Sequence, residues 1–209
     1  MMDRSKHLAL LSVVVAVFVW SAIGCHDLFT WIMEVFPAVI GVGILIGIYP
    51  RFRFSTFVYA LIAVHAIILM IGGHYTYARM PVFDWLKVRF NLDRNYYDRL
   101  GHFAQGFVPA MIAREVLLRT TPLKPGKMLF YLVLSICMAI SAWYELLEFA
   151  VAKLTGSGAE DFLATQGDPW DTQWDMTWCF IGALCALSLF RNVQDRFLKR
   201  LPQITGQGY

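Results

Sequence analysis

Asp98, His102 and Gln105 stand at i, i+4 and i+7, so a helix through them carries all three on one stripe. Glu145 and Glu148, three apart, share a face of a second helix, and Asp168, Asp171 and Asp175 step by three and four towards Trp178 and Gly182 on a third. Carboxylates crowded together repel one another unless a cation joins them. His102 or Arg99 can supply that charge, and so can a bound divalent metal ion. Asp and Glu oxygens with one imidazole suit Mg, Mn, Zn or non-haem Fe rather than a soft-metal site. The spacing therefore points to Asp98, His102, Glu145, Asp171 and Asp175 as metal ligands, which His74 can join from Gly72-Gly73-His74-Tyr75. Glu148 is placed as a general base and His102 as a second acid–base group. Arg79, Arg94 and Arg99 offer guanidinium forks that fit a phosphate headgroup. Taken singly, each acid also has the look of an interfacial charge or a helix cap.

The elements that must position these residues are membrane helices. The chain has 209 residues, 58% hydrophobic and only 16% charged, with a mean hydropathy of +0.54, which is too apolar for a soluble domain of this length. Leu8 to Cys25 and Phe54 to Gly73 are runs free of Asp, Glu, Lys and Arg, each long enough to cross a hydrocarbon layer of about 30 Å. Less uniform spans follow at Leu28 to Tyr49, Leu100 to Leu118, Met128 to Ala152 and Trp174 to Phe190, giving an all-α polytopic membrane protein, a six-helix transmembrane bundle that forms one domain over residues 1–209. Ser21-Ala22-Ile23-Gly24-Cys25 leads straight into the next apolar span, which reads as a retained anchor rather than a cleaved signal.

With both termini cytoplasmic, twelve of the eighteen Lys and Arg residues fall on the inner side, the arrangement the positive-inside rule favours. Twelve of the fifteen acids then lie on the outer side, where the three stripes begin or end. The segment from His74 to Arg99 dissents, because it would carry Arg79, Lys87, Arg89, Arg94 and Arg99 outside. Within it Pro81 can open a short interfacial helix, with Val82, Phe83, Leu86 and Phe90 at helical spacing. A second outer connection runs through Gly156-Ser157-Gly158 to Gln166-Gly167-Asp168-Pro169-Trp170. Trp20, Trp31, Trp143, Trp170, Trp174 and Trp178 suit the aromatic belt at the membrane surface. Cys25, Cys137, Cys179 and Cys185 lack metal-type spacing and read as packing residues, and His26-Asp27 with Glu34 forms a lesser outer group.

Gly73-His74-Tyr75-Thr76-Tyr77, Asn95-Tyr96-Tyr97-Asp98-Arg99-Leu100-Gly101-His102-Phe103, Glu145-Leu146-Leu147-Glu148 and Gln166-Gly167-Asp168-Pro169-Trp170-Asp171-Thr172-Gln173-Trp174-Asp175-Met176 resemble the YjdF family of bacterial inner-membrane proteins over nearly the whole chain. The resemblance implies a multi-pass inner-membrane location and no particular reaction. A more distant similarity is to VanZ-like membrane proteins, through Asp98, His102, Glu145 or Glu148, Asp175 and Gly182. The chain departs from that pattern in two additional N-terminal helices and a longer acidic insert, so a role in glycopeptide resistance does not carry over.

The chain has no His-Glu-x-x-His pair, no Gly-x-Ser-x-Gly turn and no clustered His-x-x-x-His set, and its glycines are too sparse for a phosphate loop. Two function classes remain. In one, the protein is a metal-dependent hydrolase or transferase acting on a lipid-linked, phosphate-bearing substrate, with metal-activated water as the nucleophile. In the other it is a small transporter, a proton or cation relay or a membrane interaction module that uses the same carboxylates. Membrane lipids are the expected surroundings, a net charge of +3 gives no reason to invoke nucleic acid, and the sequence leaves the oligomeric state open.

Overall fold

Without water at the centre of a bilayer, a spanning segment has to close its backbone hydrogen bonds internally, so the apolar runs can only be helices or parts of a closed barrel. In a computed structural model describing residues 2–155 and 160–201, helix is the only regular structure among the described residues. The long helices are α1 (Met2–Ala22), α2 (Leu28–Ile48), α3 (Thr56–Tyr75), α5 (Tyr97–Thr120) and α6 (Lys127–Thr155), with a shorter α4 (Pro81–Phe90) before α5 and a single turn, α7 (Glu160–Leu163), after α6. The last stretch is continuous, running from α8 (Asp171–Cys185) through a π-helical segment (Ala186–Phe190) into α9 (Arg191–Leu198).

Five of these stretches, in α1, α2, α3, α6 and Asp171–Leu198, are long and apolar enough to cross a membrane. The expected span at Leu100 to Leu118 lies in helix α5, whose 24 residues reach about 36 Å but which is not among those five. Asp98, Arg99, His102, Arg114, Glu115 and Arg119 deprive it of an apolar stretch of that length. Its place in the bundle accounts for this. It packs against α3, α6 and α8, and Asp98, Arg99, His102, Arg114 and Glu115 are all buried. A helix screened from lipid by its neighbours can keep charges that a lipid-facing helix cannot.

The contact between α5 and α8 is the tightest in the bundle, and glycine permits it. A Cβ on Gly106 would lie 1.8 Å from the Cys179 carbonyl oxygen, and one on Gly182 would lie 2.1 Å from that of Phe103. Close approach through small residues is how membrane helices associate where no hydrophobic effect drives them together. Cys137 and Cys179 fill this seam as buried free thiols, donating to the carbonyls of Gly106 and Cys137 at 3.6 Å, in keeping with a packing role.

At the other end of α5 a second set of polar contacts ties the helices together. Glu115, fully buried, accepts from the Ser55 amide at 2.7 Å and hydroxyl at 2.6 Å, and from Arg119 at 2.7 Å. Arg114 reaches Gln194 and Asp195 on α9, and Gln194 donates to the Met111 carbonyl at 2.7 Å.

The short helix expected after Pro81 forms as α4 and ends at Asn91, whose φ of 51° makes a left-handed cap. Its apolar residues do not form one inward face. Phe83 packs edge-on against Tyr97, whereas Val82, Trp85, Val88 and Phe90 are exposed. The expected turn at Gly156-Ser157-Gly158 lies outside the described residues.

Candidate functional site

Three helix ends meet where α5 and α8 begin and α6 approaches its end. Asp98 and His102 on α5, Asp175 on α8 and Glu145 on α6 are all buried there. His102 Nε2 lies 3.4 Å from Asp98 Oδ1 and 3.5 Å from Asp175 Oδ1. Its Nδ1 faces Gln105 Oε1 at 3.0 Å, with Glu145 Oε1 behind at 3.9 Å. The i, i+4, i+7 stripe read from the sequence is therefore real, and it is turned towards α6 and α8.

Around His102, oxygens outnumber donors. A neutral imidazole has one N–H and one lone pair, yet both of its nitrogens face oxygens that accept. One ligand atom each from Asp98, His102 and Asp175 can be chosen so that all three lie within 4.8 Å of one another, a spacing that can hold a metal ion. For a tetrahedral ion with bonds of 2.0–2.1 Å the ligand-to-ligand edge is about 3.3 Å, close to the two distances at Nε2. A direct charged hydrogen bond would be shorter, about 2.7–2.9 Å. Glu145 Oε1 is buried and has no hydrogen-bond partner.

The other aspartates belong to two arginines. Arg99 contacts Asp171 at 2.6 Å, Asp98 at 3.2 Å and Asp168 at 3.3 Å, and also Asp175. Arg94 contacts Asp171 at 2.7 Å, Asp168 at 3.4 Å and Asp98 at 3.5 Å. Asp171 Oδ1 thus bridges both guanidiniums, and Asp175 Oδ1, the oxygen that faces His102, also takes Arg99 Nη1, so one oxygen of each of two residues expected among the metal ligands is held by an arginine. Arg94 and Arg99, expected to meet a phosphate, are buried at 6% and 4% exposure with their forks on aspartates. Arg79 is exposed on the 3₁₀ turn Tyr77–Arg79. The charge opposing the acids, assigned above to either His102 or Arg99, is carried mainly by the two arginines.

Arg94 reaches this position because the loop before α5 is stitched to the loop before α8. The Asn95 amide donates to Gln166 Oε1 and the Gln166 side-chain amide donates back to the Asn95 carbonyl, both at 2.9 Å. Arg94 also donates to the Ala164 carbonyl at 3.0 Å. Asp168 lies in the turn before α8 rather than on it, and accepts from the Trp170 amide at 2.9 Å.

Other expected members are placed differently. His74 is not brought into the cluster: its Nδ1 is 3.0 Å from the Ser21 carbonyl, and its ring packs against Trp20 and Tyr75 with centroids 4.5 Å away. Glu148 is half-buried and within electrostatic reach of His102. Glu34, set aside above as a lesser outer group, is 4% exposed, and the Tyr144 hydroxyl donates to it at 3.5 Å. Tyr77, whose ring fills the hollow over Gly72 and Gly101, closes this side, and burial holds its hydroxyl well above the usual tyrosine range. A single Glu within an apolar span was the available signal for Glu34.

Five helices long and apolar enough to cross a membrane, with a charged cluster buried among the helix ends, mark an integral membrane protein with a polar site. The chain belongs to the family described as "Predicted membrane protein (DUF2238)", whose model matches residues 6–196. It is similar to "Inner membrane protein YjdF" of Escherichia coli (strain K12), 46% identical over 190 residues, which is 91% of each chain. The resemblance drawn from the four motifs therefore holds. No solved structure matches the chain.

Proposed function

We propose that this is a six-span protein of the bacterial inner membrane with both termini cytoplasmic, and that Asp98, His102 and Asp175 bind one divalent metal ion at its outer face. The observation that carries the reading is His102 Nε2, held 3.4 and 3.5 Å from two carboxylate oxygens while Nδ1 faces a third acceptor. Arg99 holds both carboxylates from one side, and on the other the spacing between Nε2 and their oxygens suits a shared ion. Gln105 accepting at Nδ1 would leave the Nε2 lone pair free to ligate, the usual arrangement behind a metal-bound histidine. The inner-membrane location follows the name of the similar Escherichia coli protein, and α5 supplies the sixth span by its length and central place.

Bound there, the ion would activate water for hydrolysis or group transfer on a lipid-linked substrate. Glu145 and Glu148 supply carboxylates beside His102 that can hold the proton released, and Arg94 and Arg99 fix the aspartates. The exposed apolar line of α4, from Val82 through Trp85 to Val88, supports a helix lying in the membrane surface beside the site.

Elemental analysis of detergent-purified protein prepared without chelator tests the site, with one divalent ion per chain expected in the wild type and none in Asp98→Ala or Asp175→Ala. Wild type that holds no stoichiometric metal, both as isolated and after supplementation, ends the metal reading. Glu145 with its unpartnered oxygen, and Glu34 beyond it through Tyr144, favour a second reading in which an imidazolium at His102 hands protons inward. That reading requires a pH-dependent flux in liposomes that disappears in Glu145→Gln; flux that persists in the variant eliminates it.

A further inference from the structure

A cavity of about 340 Å³ lies at the end of the bundle away from the Asp–His site. Its walls come from α5, the turn before α6, the first turn of α6 and the junction of the π-helical segment with α9. The lining is of two kinds. Leu129, Phe130 and Leu187 are apolar, whereas Arg114, Lys127 and Arg191 are cationic, and no acidic side chain lines it. Only Arg114 is neutralised, by Asp195 at 2.7 Å, with Gln194 at 2.8 Å. Lys127 and Arg191 are exposed and have neither an ion pair nor a side-chain hydrogen bond among the described residues.

The helix end facing this cavity adds to the positive character. α6 starts at Lys127, and the residue before it is Gly126, which has no side chain to cap the amides of the first turn. An anion placed there would meet two uncompensated cations and a helix N-terminus at once. A free phosphate would gain nothing from Leu129, Phe130 and Leu187. A phosphate carrying an acyl tail would use both kinds of wall, and basic pockets between membrane helices near the bilayer surface take such headgroups.

We propose that this cavity binds the phosphate headgroup of an anionic phospholipid, gripped by Lys127 and Arg191 with Arg114 as the fixed floor. The site is independent of the metal reading. The full chain in neutral detergent is titrated with phosphatidylglycerol, phosphatidylcholine or inorganic phosphate, and retained ligand is read by native mass spectrometry. Wild type should retain phosphatidylglycerol selectively. The Lys127→Gln/Arg191→Gln double variant should bind it about 30-fold more weakly, each basic residue near an anionic headgroup contributing about a factor of five. A control pair, Arg51→Gln/Lys199→Gln, removes two exposed basic residues outside the cavity and should leave retention unchanged. Equal retention of both lipids, or equal loss in the two double variants, overturns the proposal. Inorganic phosphate that competes as well as the lipid would assign the cavity to free phosphate and overturn the lipid reading. All four substituted positions are exposed, and thermal unfolding within about 2 °C of wild type, under roughly 1 kcal/mol for a chain of this size, confirms that each variant is folded.

Discussion

Gly182→Ala should damage both the fold and the site, because α8 rests on α5 through that residue. The added Cβ would lie 2.1 Å from the Phe103 carbonyl oxygen and 3.0 Å from both the Phe103 carbonyl carbon and the Phe107 amide nitrogen. These are backbone atoms, so no side chain can swing away. Restoring ordinary contact requires the helices to part by roughly 1.3 Å. The same movement would carry Asp171 and Asp175 away from Arg99 and His102, stretching the 2.6 Å Arg99–Asp171 contact beyond hydrogen-bonding range. Overpacking costs about 1–3 kcal/mol, and each charge-assisted bond lost about 1.5–3 kcal/mol. The expected loss is therefore about 3 kcal/mol or more, which in a chain of this length lowers the unfolding temperature by roughly 6–12 °C. The assay is thermal unfolding in detergent, with Gly41→Ala as the control, since nothing lies within 4 Å of a Cβ there. Alanine at position 41 should be neutral or stabilising by up to about 1 kcal/mol. Gly182→Ala melting within about 2 °C of the control would refute the close seam. Gly106→Ala combined with Gly182→Ala should cost less than the two added together, because both open the same contact.

Arg99→Gln leaves four aspartates short of a partner and should cost about 3–5 kcal/mol in unfolding free energy; Arg99→Lys should recover less than half of that, since an ammonium cannot fork between Asp171 and Asp175. Asp27 caps α2 by accepting from the Thr30 amide at 2.6 Å, which holds its carboxyl below the usual range. Its contribution is therefore complete above the ordinary carboxylate pKa and fades as pH falls through the lowered one. Asp27→Ala should be about 1 kcal/mol less stable at neutral pH, with the gap closing below about pH 4 in paired melting curves. Ala164 has a φ of 50°, so Ala164→Gly should raise stability by up to about 1 kcal/mol in the same melting assay. The control is Thr165→Gly, which has no positive φ to relieve and should be neutral or destabilising.

Much of this arrangement is written in local spacing. The stripe from Asp98 through His102 to Gln105 and the pair Glu145 and Glu148 follow from helical periodicity alone, and the apolar runs fix five of the helices. What spacing does not disclose is which charges pair across the chain. Arg94 sits in a loop, and its position depends on the Asn95–Gln166 exchange across 71 residues. Nothing local to either residue announces that contact. Glu34 looked like a single polar interruption of α2 because its partner Tyr144 is 110 residues away. His74 had the right residue type at the right depth, yet its position in the last turn of α3 turns its ring to α1, against Trp20 and the Ser21 carbonyl.

Arg99 and Arg114 also bear on the order in which the protein can be assembled. α5 emerges from the ribosome with Arg99 and Arg114 in it, and apart from Asp98 beside Arg99 the residues that answer them come much later. Asp171 and Asp175 follow Arg99 by 72 and 76 residues, and Gln194 follows Arg114 by 80. Each unanswered charge near the centre of a lone helix opposes insertion by about 2.5–3.5 kcal/mol, and less towards its ends. As the sixth span proposed above, helix α5 would therefore gain its full hold in the bilayer only once α8 has arrived beside it, and a chain halted before Asp171 would leave it without the contacts that make a charged helix tolerable there. On that reading the last helix would complete the insertion of one made some seventy residues earlier.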